Sequence, residues 1–209
     1  MLHKIFLRMR TSILLFLLLI FLNNGCKNDG ASSDLNNSAT IVPGAPTDPE
    51  NLVVPSACGL ITEERLNQIL KLNNISFNII DPDSSSVASR SCFFKWDDAS
   101  EPNAGVFLQV QTNPVYNDYP QYISGYVTAK LNEGEMMLGE EQPTKFARFS
   151  AGNANGAWSY KLGRFYWSYG NDYLFMLAFN LPTLSEDNME KAGSAIAEEV
   201  SRNFKPQTK

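Results

Sequence analysis

The chain has 209 residues, with 17 Lys and Arg against 22 Asp and Glu, a net charge of −5. Three of the bases and no acids fall in residues 1–25, so from residue 26 onward 14 bases face 22 acids, a balance of −8 that argues against nucleic acid or an anionic lipid surface as partner. The single histidine is His3, which leaves the rest of the chain without Ser-His-Asp or Cys-His catalysis and without His-containing zinc sites.

His3, Lys4, Arg8 and Arg10 make a positive start, Ile13 to Leu22 is an unbroken apolar run of ten, and Asn23-Asn24-Gly25-Cys26 follows. Ten apolar residues are too few for a spanning helix, which needs about 20. Charged start, short apolar run and small residue before a cut are the pattern of an export signal over residues 1–25. The segment resembles a bacterial lipoprotein signal, in which the cut precedes a lipidated cysteine, here Cys26. Gly25-Cys26 fits that pattern; Leu22 stands one place too far upstream, and Asn23 and Asn24 are atypical. The resemblance implies a diacylglycerol thioether on Cys26 and an anchor in the bacterial envelope, at the outer membrane or a periplasmic face. The alternative is an ordinary cut near Gly25 that leaves a free thiol.

Residues 26–54 are expected to be the anchor cysteine and a disordered linker, because Asn, Ser, Asp, Gly and the prolines 43, 46 and 49 leave little apolar surface to bury. Residues 55–204 have the length of one domain with a real core, and 205–209 a short tail. Within the domain, Thr62 is placed to cap a helix over 62–72, with Glu63 and Glu64 in its first turn and Leu66, Ile69 and Leu70 on one face. Strands are expected at 75–80, 91–96 and 105–112. Alternation puts Cys92, Phe94 and Trp96 on one face, and Val106, Leu108 and Val110 on one face. Tyr119, Tyr122 and Tyr126 have helical spacing in a segment over 119–132 that Gly134 ends.

A strand at 144–149 and three more at 156–162, 164–169 and 173–180 follow, the last three separated by the turn residues Gly163 and Gly170-Asn171-Asp172. Tyr173 to Phe179 is apolar at every position, which suggests a central strand covered on both faces. Ser185 begins a helix to about Asn203, with Met189, Ala192, Gly193, Ile196 and Val200 as its buried stripe. Antiparallel hairpins and a two-sided central strand together predict an α+β fold, an α/β/α sandwich around an antiparallel sheet. With Cys26 set aside, Cys58 and Cys92 remain as an even pair in an oxidising compartment, so a disulfide is expected. It closes a loop of about 35 residues, worth about 4 kcal/mol in the chain-entropy view.

Several local features resemble a large group of uncharacterised bacterial lipoprotein domains. Pro55-Ser56-Ala57-Cys58-Gly59-Leu60-Ile61-Thr62-Glu63-Glu64 is similar to their opening Cys-x-Leu-Leu-Thr-x-Glu-Glu, and Ser91-Cys92-Phe93-Phe94-Lys95-Trp96 to their second-cysteine strand. Leu138-Gly139-Glu140-Glu141 is similar to a later turn, and Gly163 to Phe179 to their closing hairpin. That group resembles the PsbP-like fold. The resemblance spans residues 55–204. It implies an accessory or binding module and transfers no catalytic residue.

Candidate sites are few. Asp81-x-Asp83-x-Ser85 has the first steps of a calcium loop, but Ser86 and Cys92 stand where glycine and the closing glutamate belong, so no metal is expected and the stretch reads as a polar turn. Glu133, Glu135, Glu140 and Glu141 gather around one loop without a spacing that selects a catalytic pair, and no catalytic residue is assigned. There is no phosphate-binding glycine loop and no CxxC, so no cofactor is expected. Of the aromatics, Trp158/Tyr160/Leu162 and Phe165/Trp167/Tyr169 alternate onto core faces. Tyr166 falls on the opposite face, and with the tyrosine helix (Tyr119, Tyr122, Tyr126) it is the expected contact for an envelope protein partner. A small apolar or glycan ligand held between helix and sheet is the alternative, and a hydrolase working through carboxylates a third.

Overall fold

The computed structural model describes residues 44–82, 88–97 and 101–209. Cys26, Asp83, Ser85 and Ser86, and with them the lipidation and calcium-loop readings, lie outside these residues.

The described chain is α+β. In order it runs β1 (Leu52–Val53), α1 (Glu63–Leu70), β2 (Asn78–Ile80), β3 (Ser89–Lys95), β4 (Gly105–Gln111), α2 (Tyr122–Asn132), β5 (Ala147–Ala151), β6 (Ala154–Ser159), β7 (Arg164–Tyr169), β8 (Tyr173–Asn180), α3 (Glu186–Asn203) and β9 (Gln207–Thr208). Strands β2 to β8 form one antiparallel sheet in the order β2-β3-β4-β8-β7-β6-β5. The apolar strand β8 is fourth of seven, the central place its composition asks for.

One sheet face carries the main core. Rows Cys92–Leu108–Leu177–Phe165–Trp158 and Val110–Phe175–Trp167 lie side by side across the strands and are buried. Helix α3 packs on this face. Gly193 is what lets it approach, since a Cβ there would meet the Phe165 ring at 2.2 Å. The indole Nε1–H of Trp167 donates to Ser201 Oγ on α3 at 3.0 Å, so the buried ring has its polar atom satisfied. Beside α3 lies α1, tied to it by Arg65 Nε to Glu199 Oε2 at 3.0 Å. Thr62 caps α1 as expected, accepting from the Arg65 amide. The expected Cys58–Cys92 disulfide is present, its Cα atoms 5.0 Å apart, and fastens the segment before α1 to β3.

The domain is longer at both ends than the sequence suggests. Residues 44–54 were assigned to the linker and 205–209 to a tail, yet β1 pairs with β9, and Leu52 and Val54 are buried. Asp172 accepts from the Thr47 amide, Asn171 donates to the Gly44 carbonyl, and Tyr173 donates to Val53. Partners distant in sequence therefore order a stretch whose own composition would not.

Three strand readings shift. The strand expected at 75–80 is reduced to Asn78–Ile80. The expected strand 156–162 stops at Ser159, because Tyr160 to Gly163 form a turn with Gly163 at φ +60°. Tyr160 is consequently exposed rather than core, and so is Tyr169 at the end of β7 beside the turn at Gly170. The strand expected at 144–149 lies at 147–151, in a hairpin that turns at Gly152.

Candidate functional site

The opposite face of the sheet is covered unevenly. Helix α2 packs over β6 and β7 through Tyr126, Val127 and Leu131, against Ala157, Tyr166 and Phe146. A helix about 10 Å across covers about two strands spaced about 4.8 Å apart. One helix of 11 residues cannot roof a seven-stranded sheet. Among the described residues, the β3, β4 and β8 part of this face forms an open trough of about 640 Å³.

Strand register fixes what lines it. Phe93, Phe107, Ala178 and Arg164 stand in one row across β3, β4, β8 and β7. Lys95, Gly105 and Asn180 form the next row, and Met176 lies on the other side of it. The Phe93 and Phe107 rings touch at 4.5 Å between centroids, yet Phe93 remains 37% exposed. The expectation that β8 is covered on both faces holds at Leu174, which is buried, and needs correction further along the strand: among the described residues Met176 and Ala178, on the same side, line the trough.

Beside the trough, under α2, is a charged box. Glu135 accepts from Lys130 Nζ through Oε2 at 2.6 Å and from Arg164 Nη1 through Oε1 at 2.6 Å. Lys130 Nζ also sits 5.1, 5.7 and 5.2 Å from the ring centroids of Tyr126, Phe146 and Tyr166, so three aromatic faces share the ammonium. The backbone places Glu135 where it must be. After α2 the chain turns through Gly134 at φ +85°, where a Cβ would come within 2.5 Å of the Thr144 carbonyl, and Glu135 then pairs with Thr144. Burial opposes ionisation of Glu135, but Lys130 and Arg164 outweigh it and hold the carboxyl below its ordinary value. Burial, with Tyr126 and Glu135 nearby, pushes the Tyr166 phenol up to about 12, so it remains a neutral donor. Two cations share one carboxylate, which leaves the box with one positive charge in excess. Arg164 belongs to both regions: it closes the box and lines the trough.

The residues singled out from the sequence fall as follows. Tyr166, expected as an exposed contact, is 4% exposed: it does face away from the main core, but α2 covers it. Tyr126 and Tyr122 continue from it in a ladder of ring contacts at 5.4 and 5.5 Å, both half-buried, and only Tyr119 at the ladder's end is exposed. Of the loop acids, Glu135 enters the box, while Glu140 pairs with Lys161 and Thr144. Among the described residues no group of three or more His, Cys, Asp or Glu could hold a metal. The trough residues Phe93, Phe107, Met176 and Ala178, and the cations Lys130 and Arg164, were not anticipated. Part of their signal lies in the alternation: in β3, Phe93 stands between Cys92 and Phe94 and faces the other way, an aromatic on the second face of the sheet.

No protein-family model, curated protein or solved structure matches this chain.

Proposed function

We propose that this chain is a bacterial envelope lipoprotein, exported by residues 1–25 and anchored through Cys26, whose folded domain is a binding module without catalytic activity. Its arrangement is read as a PsbP-like α/β/α sandwich with one outer layer incomplete. The observation that carries the binding reading is the trough. An apolar recess of about 640 Å³ is of ligand-pocket size, and solvent-facing aromatic and aliphatic side chains on a sheet face are costly unless something covers them. The proposed occupant is a small apolar ligand held on β3, β4 and β8.

A protein partner is the second reading. It is favoured by the exposed Tyr119, which continues the tyrosine ladder to the surface. The two readings part experimentally. Full-length chain purified from membranes and extracted with solvent should release a near-stoichiometric apolar molecule, and Phe107→Asp should lose it. A chain that carries nothing, and whose in-cell crosslinks are lost on Tyr119→Ala instead, would replace the ligand reading with the partner one. The anchor is tested separately: Cys26→Ser should leave the membrane fraction, and a variant that stays there defeats the lipoprotein reading.

A further inference from the structure

We infer that the ligand of the trough is a single-chain amphiphile with a carboxylate head, bound with its alkyl chain along the row Phe93–Phe107–Ala178 and its head at Arg164. The inference rests on the binding reading above and adds the chemical class.

The argument is one of shape and of charge. The row crosses three strand intervals, about 14 Å at about 4.8 Å each, and is apolar until it reaches Arg164. An unbranched chain suits a shallow recess of that length better than a bulky ring system does. Its apolar wall continues along β8 to Met176, which also packs against the aromatic box. The polar residues at the rim are Lys95, Asn103, Asn180 and Arg164, two cations and two amides with no acid among them.

Glu135 does not neutralise that rim, because it already serves Lys130 as well as Arg164. The Arg164 side chain is one-third exposed, and its guanidinium has five N–H donors, more than its contacts with Glu135 and the Tyr166 phenol use. A carboxylate arriving at Arg164 would turn two cations and one anion into a balanced set. A cationic head would add a third positive charge to the cluster, and a neutral head would leave the excess uncompensated. A second copy of this chain would bring two more cations, Arg164 and Lys95, and no acid of its own trough to this rim, so it would not supply the missing negative charge.

The test keeps the chain whole. Full-length protein in phosphatidylcholine nanodiscs is irradiated with three diazirine-bearing probes of equal chain length: dodecanoate, dodecanol and dodecylammonium. The labelled peptides are then mapped by mass spectrometry. Dodecanoate should label β3, β4 and β8, at least tenfold more than the ammonium probe and several-fold more than the alcohol. Unlabelled dodecanoate should compete, and Arg164→Gln should erase the preference for the carboxylate. The head-group comparison on the unmodified chain needs no variant, so it decides the question even if Arg164→Gln fails to fold. Equal labelling of the trough by all three probes overturns the carboxylate and leaves an apolar site standing. Absence of trough labelling by any probe overturns both this inference and the ligand reading it rests on.

Discussion

The two halves of the sheet face under α2 are built in opposite senses. Over β6 and β7 the helix covers Tyr166, Phe146 and Ala157, and with its own Lys130 it also shelters Glu135 and Arg164, groups that prefer water. Over β3, β4 and β8 no helix lies among the described residues, and Phe93 is exposed there while Phe107 and Met176 are half-buried. Aromatics beneath the helix are what packing alone favours; charged groups beneath it, and Phe93 outside it, are not. The covered half resolves most of its conflict internally, because Glu135 serves both cations and the ammonium has three rings, and one positive charge stays in excess. The bare half resolves nothing from within the described chain. Among the described residues, apolar side chains without cover lie beside charged ones that share a partner, and the proposed ligand rests on that contrast.

Neighbouring residues in β3 give the strongest test of that contrast. Phe94 is 1% exposed on the core face and edge-on to Phe77, so Phe94→Ala should cost about 3–5 kcal/mol by removing a large buried ring and leaving a cavity. Phe93→Ala, one residue earlier on the trough face, should cost about 1 kcal/mol or less. Urea unfolding of both variants checks it. Equal costs would mean that the trough is an ordinary part of the core and would remove the binding reading. Next in size is the disulfide on the core side. Replacing Cys58 and Cys92 together by Ser should lower stability by about 2–4 kcal/mol, and reduction with dithiothreitol should lower the melting temperature of the parent chain but not of the double variant.

Within the covered half, Glu135→Gln should cost about 1–2 kcal/mol. It leaves Lys130 and Arg164 facing each other without their shared anion, but partial exposure of all three side chains screens the repulsion to well below that of a fully buried pair. Lys130→Met, which removes one cation and keeps the volume, should cost less than Glu135→Gln. The opposite ranking would show that the rings, rather than Glu135, are the main support of the ammonium.

The contrast also separates what was legible in the sequence from what was not. Period-two alternation identified the core face of β3, β4 and β7, and the length of the apolar run placed β8 in the middle of the sheet, because those signals are local. The assignment of Tyr166 to the opposite face was right for the same reason. Its exposure was not legible, because that depends on where a helix 40 residues earlier comes to rest. The trough could not be read for the converse reason: an apolar run with residues on both faces implies cover on both, and only the narrowness of α2 against seven strands reveals that cover is missing. The box needed Lys130, Glu135, Tyr126, Phe146 and Arg164 brought together from a helix, a loop and two strand regions. Long-range partners likewise ordered residues 44–54, where composition predicted a free tether.

The smallest effect lies at the pH limits, and it reads the covered half directly. Glu135 is held below its ordinary value, and so is Glu199, chiefly by its hydrogen bond from Arg202. Their contribution is complete above the unfolded carboxyl value and is lost as pH falls through the lower folded values. Glu135→Gln should therefore flatten part of the acid slope of the melting temperature. Tyr166 works on the alkaline side with the opposite sign. Its folded value of about 12 exceeds the unfolded value of 10.0, so burial favours the neutral phenol. That stability is intact below pH 10 and declines as pH rises toward 12. Tyr122, Tyr126 and Tyr173 are raised as well, so the melting curve alone does not single out one ring. Tyrosinate absorbance does. The parent chain should show a late phenol ionising near 12, and Tyr166→Phe should remove that step. A Tyr166→Phe titration that still contains it would place the deepest phenol elsewhere and take away the picture of Tyr166 as the floor of the box.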